Sequence, residues 1–228
     1  MIISISQPTL FPWIGYFDII QKSDIFVFLD NVKFEKRSWQ MRNRIKFVSK
    51  DIEKEIWIRI PTTVKKSETD IKDVLIDNSQ KWKNVHMNTF RSNYGNEFQE
   101  IEFLKEMYDR EWEFLADFNM EFIKNCCKYL NITTKIEQAS KLNVDGNKSQ
   151  LLLNICKKFS ASKYLSTIGS KNYLENDKKI FEDENIEIIY HDFKQPNYKQ
   201  KGNRFYENLS ILDLILTEGE NSYKFFIN

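Results

Sequence analysis

The chain has 228 residues, of which 41% are hydrophobic and 29% charged, with a formal net charge of +1. That composition describes a globular chain long enough to bury a sizeable core, and its near-neutrality means that an anion must be held by a local patch rather than by the field of the whole molecule. Three cysteines without a CxxC spacing and only two histidines argue against a disulfide framework and against a zinc or other metal site.

The chain opens on a strand, Ile2 to Ile5, and a second follows at Ile25 to Leu29. Both are short apolar runs rich in β-branched and aromatic residues. Between them Ile14, Phe17 and Ile20 recur at spacings of three, which predicts a short helix over Trp13 to Lys22. The unit is βαβ, so the two strands should be parallel. Its turn, QPTLFPWIGYF, is aromatic where turns are usually polar. Pro8 and Pro12 each fix their own φ, and Gly15 allows close packing of the helix. Gln7, Phe11 and Trp13 are therefore expected to line a rigid floor at the strand end.

Ile45 to Ser49, Lys54 to Ile60 and Ile71 to Ile76 read as further strands, the second alternating strictly. Residues 80 to 130 read as helices. One ends at Gly95, a glycine suited to a C-cap, and another carries Cys126 and Cys127 as core. Then come a strand at Ile132 to Glu137, a helix at Lys148 to Phe159, a strand at Lys163 to Ser166, a helix at Ser170 to Asn176, a strand at Ile186 to Tyr190 and a helix over Leu209 to Leu216. The order predicts the α/β class: a mostly parallel sheet flanked by helices, with a helical middle region at about 80–130, in a single domain spanning 1–228. Strands 2–6, 25–29, 163–166 and 186–190 should be parallel neighbours in one sheet. No apolar run approaches a membrane span and Met1 enters a strand without a basic leader, so a cytoplasmic protein without membrane insertion is expected.

Three stretches carry candidate chemistry. LDNVKFEKRSWQMRNRIKF concentrates Lys33, Lys36, Arg37, Arg42, Arg44 and Lys46 against Asp30 and Glu35, with Phe34 and Trp39 interleaved. Arginine pairs bind phosphate bidentately and a flat ring can stack on a base. A solvated basic loop accounts for the same residues without a ligand. Nucleic acid is not expected, because the patch has no second basic flank. In YLSTIGSKNYL, Ser170 and Lys171 open a helix after a strand, which suits an anion, although a plain N-cap at Ser170 explains the serine equally. Asp30 and His191 stand just past strand ends, where either could act as a general base.

These residues resemble the WbqC-like family of bacterial surface-polysaccharide (O-antigen) loci. The likeness rests on Gln7, Pro8, Phe11, Pro12, Trp13, Gly15, Tyr16 and Phe17; on Asp30, Val32, Phe34, Lys36, Trp39, Arg42, Asn43 and Ile45; and on Pro196, Tyr198, Gln200, Leu209, Ser210, Ile211, Asp213, Leu214 and Gly219. Lys33 and Met41 depart from the family pattern, which has Gln and Asn there. The resemblance implies a transferase that acylates or aminoacylates a nucleotide-linked amino sugar for lipopolysaccharide O-antigen. Asp30 or His191 would serve as catalytic base. Gln7, Phe11, Trp13, Lys36, Trp39, Arg42, Arg44, Ser170 and Lys171 would bind substrate. No resident cofactor is implied; the donor would be a thioester of an acyl carrier protein or of coenzyme A. A non-catalytic scaffold of the same pathway is an alternative. So is an adenylate-forming ligase, on a looser likeness to HIGH-type nucleotidyltransferases and pantothenate synthetase, although LFPWIGYF lacks their histidine.

Overall fold

The runs IISIS and IFVF pair side by side, Ile3 opposite Ile25 and Ser6 opposite Phe28, and begin a parallel sheet. The computed structural model describes residues 1–50, 52–64, 68–95 and 101–226. It places β1 (Ile2–Ser6) at the centre of a five-stranded sheet. β2 (Ile25–Phe28) and β5 (Lys135–Gln138) lie on one side, β6 (Lys163–Thr167) and β7 (Glu187–His191) on the other. Every pairing is parallel, as the apolar runs predict. β2 is buried throughout and β1 and β6 at their three central residues, the pattern of strands covered on both faces.

The chain divides into two compact units. The first, Met1–Gln7, Gly15–Asn31 and Ile132–Lys194, holds the parallel sheet, flanked by helices. The second, Pro8–Ile14, Val32–Asn131 and Gln195–Asn228, is built on an antiparallel hairpin of β3 (Arg42–Ser49) and β4 (Ile52–Arg59). Among the described residues its α-helices are α2 (Trp82–Tyr94), α3 (Glu102–Asp109), α4 (Leu115–Tyr129) and α8 (Ile211–Glu218), where α1 is Ile14–Gln21 and α5, α6 and α7 are Lys148–Lys158, Lys171–Asn176 and Lys178–Glu182. The helical stretch expected at about 80–130 is thus present as α2 to α4, with residues 96–100 outside the described residues.

One expected strand is absent. Ile71–Asp73 forms a 3₁₀ turn, and Leu75 and Ile76 make only isolated bridges to Phe114 and Thr62. The apolar residues that are fully buried, Ile71 and Val74, stand three apart, a turn spacing rather than strand alternation, and Leu75 is exposed.

Candidate functional site

The aromatic turn after β1 proves to be an anchor in the second unit. Phe11 is fully buried, and its ring meets His86, Phe90, Phe118 and Phe122 at centroid distances of 4.8–6.4 Å. It holds a left-handed backbone, φ 45°, which is costly for a bulky side chain. Buried amides compensate. Asn43 Nδ2 donates to the Leu10 and Phe11 carbonyls at 3.1 and 2.8 Å, and Asn119 Nδ2 to those of Pro8 and Gln40 at 3.1 and 2.8 Å. Leu10 N–H donates to Trp39, and Ile211 N–H to Pro12. Phe11 is therefore core rather than a surface that a ligand touches, and Phe34, 1% exposed, is core as well. Trp13 is half-buried and pairs across a bridge with Ser210, which caps α8.

In the first unit the strand order reverses at β1, and in open sheets the ligand crevice lies beyond the carboxyl ends at that reversal. Gln7 follows β1, and Ser170 and Lys171 follow β6, its neighbour across the reversal. The Gln7 carbonyl accepts from Tyr16 Oη at 2.9 Å. Ser170 Oγ pairs with Thr167 Oγ1 at 3.1 Å and makes no cap, and the Lys171 ammonium lies 5.6 Å from the Tyr190 ring centre. α6 has six residues, which leaves little dipole at its start.

Asp30 is fully buried, and both carboxylate oxygens are occupied: Gln138 Nε2 donates at 2.6 Å, and Ser140 donates its N–H at 2.9 Å and its hydroxyl at 2.6 Å. Those bonds tie the end of β2 to the end of β5. His191, the last residue of β7, is paired instead with Asp18 on α1, Nε2 to Oδ2 at 2.5 Å. Asp18 also accepts from Lys22 at 2.7 Å. Burial alone would raise the Asp18 carboxyl, but the hydrogen bonds from His191 and Lys22 hold it below its ordinary value. Asp18 accepts from Nε2, so the proton of the imidazole sits on that nitrogen and Nδ1 is the atom left for other chemistry. Nδ1 has no hydrogen-bond partner among the described residues, an orientation that suits a general base. Asp18 escaped the sequence analysis because it lies mid-helix, far along the chain from its histidine.

The basic stretch resolves through strand register. Arg42 stands opposite Arg59 and Arg44 opposite Trp57. Directly opposed residues share a face, so these four point one way, while Asn43, Ile45 and Ile58 on the other face are buried. The Arg42 guanidinium lies 4.3 Å from the centre of the Trp57 ring. Trp57 and Trp39 are about half exposed and touch, with centroids 5.6 Å apart. Arg42, Arg59 and Trp57 line a cavity of about 570 Å³ together with Arg37, Lys81 and Trp82. No carboxylate lines it, and Arg37, Arg42, Arg59 and Lys81 have no ion-pair partner among the described residues. Lys36 is exposed on the preceding loop and does not line this cavity. Arg44 is half-buried and bound to Glu55 at 2.9 Å.

His86 secures this cavity from beneath. Its Nε2–H donates to the Arg59 carbonyl at 2.8 Å, and its Nδ1 accepts from Tyr108 Oη at 2.7 Å. That pattern requires neutral imidazole, and burial pushes its pKa down to about 4.

At the far end of the same face, Lys46 is fully buried. Its ammonium meets the Glu53 carboxylate at 3.3 Å, the Arg204 carbonyl and the Tyr206 ring. Glu53 also accepts the backbone N–H groups of Asn203 and Arg204, and a Cβ at Gly202 (φ 84°) would stand 2.7 Å from that carboxylate. The segment around residues 202–206 is thereby strapped over the hairpin. Asp213 anchors the strap's approach, accepting from Tyr94 at 2.7 Å and Tyr198 at 2.8 Å, while Gln200 donates to Tyr198 Oη at 3.0 Å. Tyr198, Gln200 and Asp213 are therefore a buried structural network.

The WbqC-like protein family model matches residues 7–225, from the opening turn to the last helical turn. The chain belongs to the WbqC-like protein family. It is 30% identical over 223 residues to uncharacterized protein Rv1507c of Mycobacterium tuberculosis (strain ATCC 25618 / H37Rv), covering 95% of this chain and 94% of that protein. No solved structure matches. Within this WbqC-like chain no helix among the described residues is long and apolar enough to cross a membrane.

Proposed function

We propose that this WbqC-like protein is a transferase that places an acyl or aminoacyl group on the amine of a nucleotide-linked sugar used to build surface polysaccharide. The observation that carries the reading is the open end of the hairpin face: Arg42 and Arg59 beside Arg37 and Lys81, around a cavity that no carboxylate lines among the described residues, next to an exposed tryptophan. Cations left without an acidic partner among the described residues suit a diphosphate. Arg44, already engaged by Glu55, contributes less than its neighbour.

In the reaction the sugar amine attacks a thioester carbonyl of an acyl carrier protein or coenzyme A. The C–N bond forms, the C–S bond breaks, and the proton lost by nitrogen passes through a base to the departing thiolate. Of the two candidate bases in the first unit, His191 is the better suited, because its Nδ1 has no partner among the described residues while both oxygens of Asp30 are committed.

The test is a thermal-shift panel of nucleotide-linked amino sugars, followed by mass analysis of the sugar after incubation with thioester donors. A ligand at a hundred times its Kd stabilises by about 2.7 kcal/mol. His191→Ala should cut turnover by about 10²–10⁴ with binding kept. A panel in which no nucleotide-linked sugar shifts the melting curve contradicts the reading.

A further inference from the structure

We infer that Trp39 and Trp57 form a stacking shelf for the nucleobase of the ligand whose diphosphate the neighbouring arginines hold, so that the hairpin face binds a nucleoside diphosphate as one unit. The inference rests on the phosphate reading above and adds the part of the ligand that the cations do not recognise.

Three observations carry it. Trp39 and Trp57 are 48% and 50% exposed, and two large apolar rings exposed side by side are unusual on a surface with nothing to cover them. Flat cations already attend the rings, Arg42 4.3 Å from the centre of Trp57 and Arg44 5.6 Å from that of Trp39. The shelf therefore presents π-faces and guanidinium planes, the surfaces on which a planar base stacks. Third, Trp57 lines the cavity whereas Trp39 does not, so the shelf leads outward from the phosphate site.

A hexose ring fits less well. Its hydroxyls need acceptors, and the carboxylates of this face among the described residues, Glu55 and Glu53, are held by Arg44 at 2.9 Å and by Lys46 at 3.3 Å.

Trp39→Leu tests the shelf without touching the cavity. Uridine diphosphate and guanosine diphosphate are compared by calorimetry with methyl diphosphate, which carries the phosphates without a ring. Wild type should bind the nucleoside diphosphates at least tenfold more tightly than methyl diphosphate, with tryptophan emission quenched. Trp39→Leu should lose roughly five- to a hundredfold in affinity for them and leave methyl diphosphate unchanged. If methyl diphosphate binds wild type and the base adds nothing, or if Trp39→Leu weakens all three equally, the shelf is wrong and the phosphate site stands. If none of the three binds wild type, the phosphate reading and the shelf both fall.

Discussion

Arg42 and Lys46 project from the same face of one strand, two alternations apart, and meet opposite fates. Lys46 is fully buried, neutralised by Glu53 and covered by the strap that carries Tyr206. Arg42 lies against a half-exposed tryptophan beside a cavity that no carboxylate lines among the described residues. A cation's position in a basic run thus says little about its use; what decides is whether the opposing strand and the returning chain bring it an anion. The closed end maintains the fold, and the open end is where, in the proposed function, an external anion would replace the missing partner.

The largest effect should come from loosening the closed end. Asp213→Ala leaves the buried hydroxyls of Tyr94 and Tyr198 without their acceptor, at about 1–3 kcal/mol for each. Urea unfolding should show a loss of about 3 kcal/mol or more, while diphosphate affinity of the folded variant stays within about twofold. A large loss of affinity with stability intact would mean that the two ends are not separate in function.

A comparable effect separates the ends by pH. The His86 imidazole that holds the Arg59 carbonyl is kept neutral by burial, its pKa about 4 against the ordinary 6.5. Between those values the unfolded chain takes up a proton that the folded chain refuses. The contribution is fully present above about pH 6.5 and is lost as pH falls towards 4, a span worth roughly 3 kcal/mol. Urea midpoints from pH 7 to 4.5 should fall more steeply for wild type than for His86→Asn. Equal slopes would refute a neutral, buried His86.

The smallest effect turns a closed cation into an open one. Glu55→Gln releases Arg44 and should tighten diphosphate binding by about two- to fivefold at low salt, the scale of a surface ion pair. The gain should vanish near 1 M salt. No change at low salt would place Arg44 outside the reach of the ligand.

Much of the fold was legible in local pattern. Ile2–Ser6, Ile25–Phe28, Lys163–Thr167 and Glu187–His191 are short β-branched runs, and they are parallel neighbours in one sheet. The Ile71–Ile76 run misled because Ile71 and Val74, its fully buried residues, follow a turn spacing. The site was harder to read. Alternation in Ile52–Arg59 already set Trp57 and Arg59 on one face, yet only the hairpin register shows that they share it with Arg42 and Arg44, and that Glu55 reaches Arg44. Phe11 looked like the floor of a site because the turn is aromatic. Its neighbours Phe90, Phe118 and Phe122 come from helices remote in sequence, and no local pattern reveals that they surround it. The Asp18–His191 pair was hidden for the same reason.

The most direct measurement is calorimetric titration of a nucleotide-linked amino sugar into wild type, Arg42→Ala and Arg59→Ala at fixed ionic strength. One lost charge-assisted phosphate contact is worth about 1.5–3 kcal/mol, so each variant should bind roughly ten- to a hundredfold more weakly with its melting temperature unchanged. A wild type that binds no nucleotide-linked sugar, or variants that bind as tightly as wild type, would contradict the assignment of this face to the phosphates.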